Sequence, residues 1–153
     1  MSRLILKKNN FEIESDDCQR GWISTALEYL PDEVRSDKKF NVVIIALGQT
    51  GACRLSRQYV RFEHIFLSDW IFPPLGASEE EQPGQFFIST VLHEIAHARC
   101  QHKSYKFDDL TAEQDCAQEE EADTLALKWF NQHVSLSDKE YLKKLEFREL
   151  RAL

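Results

Sequence analysis

The chain has 153 residues, 42% of them hydrophobic, and a net charge of −7, which is the size and composition of one globular domain. Because an acidic chain offers no basic face to phosphate groups, we expect no nucleic-acid partner. No apolar run reaches about 18 residues and the N-terminal apolar stretch is very short, so the sequence predicts neither a membrane span nor a signal peptide and favours a cytoplasmic location. The oligomeric state is left open.

The four cysteines lie far apart in the sequence, and no two of them form a Cys-x-x-Cys pair. In a cytoplasmic chain we interpret them as reduced, partly buried residues. This spacing argues against a zinc finger and against a redox pair. The cysteines are Cys18, Cys53, Cys100 and Cys116.

The first half of the chain alternates predicted strands with one helix. Residues 3–14 alternate weakly and favour one or two short strands, and Ser15-Asp16-Asp17 predicts the start of a helix that runs to about Leu30. The β-branched run Phe40–Leu47 is typical of a strand buried on both faces. Two further strands are expected at Ala52–Arg57 and Glu63–Asp69, and the half-polar pattern of the second favours an edge strand.

A loop rich in Pro, Gly and acidic residues follows at 70–84, and its length is typical of a functional lid or a disordered segment. The next helix is expected from about Gly84 to His102. At 100° per residue, its apolar residues collect on the side opposite its histidines. This distribution predicts a central helix whose back packs on the sheet and whose front lines a cleft.

Within that helix, the segment His93-Glu94-Ile95-Ala96-His97 carries the chemical signal. Residues i and i+4 share one helix face, so His93 and His97 can bind one metal ion together. Glu94, about 100° around the helix, can reach a water molecule that the metal activates. The His-Glu-x-x-His pattern is typical of zinc peptidases, with the glutamate as general base. The alternative is a buried helix with two hydrogen-bonded histidines.

A catalytic zinc ion requires a third protein ligand. An extended motif with Gly and His at the following positions is excluded, because Cys100 and Lys103 stand there. The next predicted helix begins with a capping box at Thr111 and runs to about His133.

Three adjacent glutamates of that helix could supply the ligand, and helical phase separates them. Glu119 shares a face with the apolar stripe, whereas Glu120 lies on the flank and Glu121 points to solvent. Asp123 lies one turn after Glu119 and could accept the second ring proton of a liganding histidine. A solvated acidic helix face is the alternative, and it explains Glu121 better than Asp123.

His93–His97 followed by Glu119-Glu120-Glu121-Ala122-Asp123 resembles the gluzincin clan of zinc metallopeptidases, whose signature is His-Glu-x-x-His and then Glu-x-x-(Ala/Ser)-Asp on the next helix. The resemblance implies a zinc ion held by His93, His97 and Glu119, with Glu94 catalytic and Asp123 supporting His93. It implies a minimal α+β, zincin-like domain over residues 1–153, in which an antiparallel edge strand and a small mixed sheet pack on the central helix. A peptide substrate would pair along Glu63–Asp69.

Other features remain without an assigned role. The clan usually has a further oxyanion-stabilising residue, for which Tyr59, Tyr105, His102 and His133 are candidates without rank. A last helix is expected near Ser137–Glu140. The competing hypothesis is a catalytically silent, zincin-like binding or regulatory module with a structural or absent metal. Its site would be closed by Cys100 or Cys116, which could also approach each other as thiols.

Overall fold

The computed structural model describes residues 4–47, 52–55, 63–103 and 108–136. Within these ranges the fold is α+β, as predicted, and consists of one mixed five-stranded sheet in the order β1-β2-β3-β5-β4 with helices packed on it. The strands are β1 (Leu4–Lys8), β2 (Phe11–Ser15), β3 (Val42–Leu47), β4 (Ala52–Leu55) and β5 (Glu63–Ser68). The helices are α1 (Asp17–Leu27), α2 (Asp32–Arg35), α3 (Gln82–Arg99) and α4 (Ala112–Leu136).

The sheet has a parallel centre and antiparallel outer pairs. β2, β3 and β5 run parallel, whereas β1 pairs antiparallel with β2 and β4 pairs antiparallel with β5. Through this register the buried apolar residues of the three central strands fall on one face, which carries α1 and α3. These residues are Phe11, Ile13, Val42, Ile44, Ala46, Ile65 and Leu67.

Two predictions about individual strands are wrong. β5 (Glu63–Ser68) is an internal strand bonded to β3 and β4, so it is not the edge strand predicted over Glu63–Asp69. A half-solvated face is expected of any strand in a sheet covered mainly on one side, and therefore does not identify an edge. The antiparallel edge strands are β1 and β4. β4 covers Ala52–Leu55 of the strand predicted over Ala52–Arg57, whose Ser56 and Arg57 lie outside the described residues.

β3 is not buried on both faces. Ile44 and Ala46 are fully buried, but Val43 and Ile45 on the other face are only half-buried. The β-branched run reflects strand propensity as well as burial, and it cannot separate the two.

The first helix begins where its sequence predicts. Asp16 is the N-cap, its side chain accepts a hydrogen bond from the Gln19 amide, and the Gln19 side chain accepts one from the Asp16 amide. This capping box satisfies two amides that the first turn leaves without helical partners. The Gln19 side chain also donates to Asp69, at the start of the loop that leads to α3. α1 ends at Leu27, and Pro31 caps the short α2.

The loop between β5 and α3 is held against α1. The Tyr29 hydroxyl donates to Glu79 at 3.0 Å, and Gly84 packs closely against Ser78 and Trp22. A cavity of about 740 Å³ lies between α1 and this loop, and no residue of the histidine cluster described below lines it. The described contacts therefore connect the predicted lid segment to α1.

α3 is the central helix of the fold, as predicted. Buried residues surround almost its whole circumference, from Phe87 and Ile88 to Ala98. α4 packs along it and is longer than predicted, because it continues to Leu136. The helix expected near Ser137–Glu140 lies outside the described residues. A membrane span, which requires a long helix with few charges, is absent from the described part of the chain.

Candidate metal centre

α3 places both motif histidines on its buried side. His93 and His97, one turn apart, are 3% and 8% exposed. Glu94 is half-buried on the flank of the same turn. Ser89 and Ala96, the small residues of the predicted histidine-bearing face, are also buried.

α4 brings Glu119 to these two rings. Glu119 Oε2 lies 3.0 Å from His93 Nε2, and Glu119 Oε1 lies 3.1 Å from His97 Nε2. The buried Ala122 and Ala126 continue the face of α4 on which Glu119 lies, and small residues of this kind let two helices approach closely. Glu121 is exposed, as predicted from the helical phase, and Glu120, which was predicted on the flank, is exposed as well.

Three ligand-type groups thus converge on one point. His93 Nε2 and His97 Nε2 are 2.9 Å apart, and each lies close to the Glu119 carboxylate. Burial alone would raise the pKa of Glu119, but hydrogen bonds and charge from His93 and His97 outweigh it and hold the pKa well below its usual value. The carboxylate is therefore ionised at neutral pH.

The protons of the two rings cannot satisfy this arrangement. With an ionised carboxylate, both Nε2 atoms must carry a proton to make hydrogen bonds to Glu119, and the two N–H groups then face each other across 2.9 Å. If either ring lacks that proton, its nitrogen lone pair faces a carboxylate oxygen instead. A cation between the groups removes this conflict, because it accepts all the lone pairs at once.

The distances also fit a metal ion of zinc size. Two donors of one tetrahedral zinc ion, each at about 2.1 Å, are roughly 3.4 Å apart. The observed separations of 2.9 to 3.1 Å therefore need to widen by only a few tenths of an ångström. Within the described ranges, His93, His97 and Glu119 form this group without a fourth protein donor.

Asp123 contacts the far side of the first histidine. Its Oδ1 lies 2.9 Å from His93 Nδ1. The distance is that of an ion pair, although the angle at Nδ1 is not that of a formed hydrogen bond. A proton kept on Nδ1 by the neighbouring carboxylate would leave the Nε2 lone pair of the neutral ring pointing at the centre of the cluster. Asp123 thus lies beside His93, the histidine with which the resemblance to gluzincins associates it.

His102 contacts the far side of the second histidine, and the sequence reasoning missed this role. His97 Nδ1 and His102 Nδ1 are 2.9 Å apart, and His102 Nε2 lies 3.4 Å from Glu121 Oε1. A proton on His97 Nδ1 can be donated to His102 Nδ1, and the remaining proton of the neutral His102 ring would then lie on Nε2, near Glu121. Each motif histidine therefore has a partner at its Nδ1 atom.

The end of α3 explains how His102 reaches this position. The His102 amide donates to the His97 carbonyl and the Gln101 amide donates to the Ala98 carbonyl, which is the hydrogen-bond pattern of a Schellman motif. Gln101 adopts a left-handed conformation with φ of 57°. This turn folds His102 back over the last turn of the helix. A glycine at position 101 would have been a recognisable signal, but the sequence has glutamine there.

The sequence analysis also named candidates for the oxyanion-stabilising residue and for a fourth metal ligand. His133 packs against the Tyr29 ring, with centroids 4.2 Å apart, and Tyr59 and Tyr105 lie outside the described residues. Cys100 and Cys116 are not joined in a disulfide, and Cys116 is exposed. Cys100 groups with His102 and Glu121 rather than with the three residues of the first cluster.

A comparison with known protein families matches the second half of the chain, beginning inside α3. The family model is Peptidase U49, matching residues 87–152. The match includes the His-Glu-x-x-His segment, Glu119 and Asp123, and covers less than half of the chain. No curated protein and no solved structure matches the chain. The similarity supports a peptidase-type function, and hence a peptide or protein substrate.

Proposed function

We propose that this protein is a zinc-dependent metallopeptidase of the gluzincin type. His93, His97 and Glu119 hold the metal, Glu94 is the general base, and Asp123 orients His93. The observation that carries the proposal is the convergence of two imidazole nitrogens and an ionised carboxylate within 3.1 Å, an arrangement that hydrogen bonds alone leave in conflict. The peptidase family match over the same residues supports it.

A zinc ion at this point would polarise the scissile carbonyl and acidify a water molecule. Glu94 stands on the same turn of α3 as His93, about 100° around the helix, and is half-buried. Its carboxylate accepts a proton from the attacking water and returns it to the amine nitrogen as the C–N bond breaks. Asp123 keeps the Nδ1 proton of His93 in place throughout, so that Nε2 stays available to the metal.

We further propose that the substrate lies along β4. β5 has partners on both sides, whereas β1 and β4 are the terminal strands of the sheet that the described residues form. Of these two strands, β4 pairs with β5 and contacts α3. An extended peptide can add to such an edge through backbone hydrogen bonds. This assignment replaces the substrate strand expected at Glu63–Asp69.

The alternative of a silent module with a closed structural metal is less well supported. Such a site requires a fourth protein donor, and Cys100 and Cys116, the two thiols proposed for it, do not join the first cluster. Three ligands with a glutamate on the adjacent flank favour a catalytic site.

The test is digestion of a peptide library by the purified protein. We expect cleavage that a chelator abolishes and that added zinc restores. The matched control is Glu94→Gln, which keeps the size of the side chain and removes its basicity. This variant should retain zinc and lose at least about 100-fold in turnover, the usual contribution of a general base. Undiminished turnover in Glu94→Gln would exclude the assigned role.

A further inference from the structure

Cys100, His102 and Glu121 form a second group of metal-ligand atoms beside the first. A sulfur, a ring nitrogen and a carboxylate oxygen lie within 4.8 Å of one another. We propose that this group is a second site for a divalent cation of the zinc type, and that filling it weakens metal binding at His93, His97 and Glu119. The second site stands on its own geometry, whereas the coupling rests on the proposed function of the first.

The backbone fixes two of the three donors. Cys100 is the C-cap of α3 and His102 is the second residue beyond it, so the Schellman turn that places one also places the other. Glu121 comes from α4, two residues after Glu119, and its Oε1 lies 3.4 Å from His102 Nε2. The same pair of helices therefore supplies both clusters, one after the other along their contact.

The donor set selects the class of ion. Thiolate and imidazole bind zinc and similar transition metals, whereas magnesium and calcium prefer oxygen donors. His102 is buried and Cys100 is half-buried, but the Glu121 side chain is 63% exposed. Because an exposed side chain must be ordered when it binds the ion, the second site should fill at a higher zinc concentration than the first.

Proton positions couple the two sites. Metal binding at His97 Nε2 leaves the ring proton on Nδ1, which faces His102 Nδ1 at 2.9 Å and requires a lone pair there. An ion on His102 Nε2 displaces the proton of that neutral ring to Nδ1, so that two N–H groups face each other. Either the contact breaks or His97 loses the tautomer that binds metal at Nε2. By linkage, each ion then weakens the binding of the other.

Cobalt titration of the metal-free, reduced protein tests the second site. The first cluster contains only nitrogen and oxygen donors, so a thiolate-to-cobalt absorption band in the near ultraviolet can come only from a cysteine. We expect the band to grow with the second equivalent of cobalt. Cys100→Ser should remove the band and leave the first equivalent bound. The matched control, Cys116→Ser, changes an exposed free thiol outside both clusters and should keep the band.

The coupling is measured by isotope exchange. Radioactive zinc is loaded at one equivalent, and its exchange is followed at increasing concentrations of unlabelled zinc. We expect exchange about 10-fold or more faster once the second site fills, the lower end of what loss of a histidine's outer partner costs in affinity. In Cys100→Ser the exchange rate should not rise.

Three results distinguish the second metal site, its coupling to the first site and the proposed peptidase function from one another. Absence of the sulfur band at saturating cobalt, or its persistence in Cys100→Ser, overturns the second site. A band accompanied by unchanged zinc exchange overturns the coupling. Peptide cleavage is measured separately, so a protein that shows the band and does not cleave peptides contradicts the proposed function alone.

Discussion

The imidazole of His93 lies between two carboxylates of α4: its Nε2 atom is 3.0 Å from Glu119 and its Nδ1 atom is 2.9 Å from Asp123. The two acids are four residues apart and so share one helix face. One ring of α3 thus contacts both, which fixes its orientation about the Cβ–Cγ bond. In the proposed site, the first carboxylate is a metal ligand and the second holds the ring proton.

Removing the outer carboxylate should weaken metal binding without removing a ligand. Asp123→Ala leaves His93 Nδ1 without this partner, and loss of such a contact typically costs 10- to 100-fold in metal affinity, which is about 1.4 to 2.7 kcal/mol. Zinc affinity is measured by competition with a chromophoric chelator. Asp115→Ala, on the half-exposed first turn of α4, is the control and should bind zinc like the native protein. Equal affinities for the two variants would refute the role of Asp123.

The Schellman turn at the end of α3 stores a small amount of backbone strain. Gln101 has a φ of 57°, where a side chain is disfavoured by about 1 kcal/mol. Gln101→Gly should therefore raise the free energy of unfolding by about 0.5 to 1 kcal/mol, measured by urea denaturation of the metal-free protein. Zinc affinity should not change, because the turn and His102 are retained.

The effect of Gln101→Gly on the free energy of unfolding can be compared with that of Asn9→Gly. Asn9 has almost the same φ, 56°, but asparagine tolerates the left-handed region better than glutamine. Asn9→Gly should thus stabilise the protein less than Gln101→Gly does. The opposite ranking would show that the strain at Gln101 is relieved elsewhere.

Two helical glycines should respond oppositely to alanine. A Cβ at Gly84 would lie 2.3 Å from the Ser78 carbonyl oxygen, so Gly84→Ala must displace the loop from α3, at about 1 to 3 kcal/mol. A Cβ at Gly21 meets nothing within 4 Å, so Gly21→Ala should stabilise α1 by about 0.5 to 1 kcal/mol. Unfolding free energies of the two variants test this. A stabilising Gly84→Ala would contradict the close packing of the loop.

The helical part of the site could be predicted because it depends on local periodicity. The spacing of His93 and His97 fixes their shared face, and the phase of α4 separates Glu119 from Glu121. The capping box at Thr111 is formed as predicted, and the helix predicted to start at Ser15-Asp16-Asp17 begins there with Asp16 as its N-cap. Each of these inferences needs only one helix and its geometry.

Other features depend on relations that the sequence does not encode locally. The position of β5 inside the sheet follows from strand order, and its alternation pattern is the same at an edge or next to one. The contact of His102 with His97 depends on a left-handed residue that is not glycine. The proximity of Glu121 to His102 depends on the packing of α4 against α3. The sequence predicted that Glu121 is exposed, but it did not predict the proximity of Glu121 to His102.

The central claim is that His93, His97 and Glu119 bind one zinc ion, and the direct measurement is the zinc content of three proteins after dialysis against a weak chelator. The native protein should retain about one equivalent, as should Glu120→Gln, whose side chain is exposed on the same helix. Glu119→Gln removes the charge and keeps the size of the side chain, and it should lose the metal. Retention of zinc by Glu119→Gln at the native level, or failure of the native protein to bind zinc, would contradict the account.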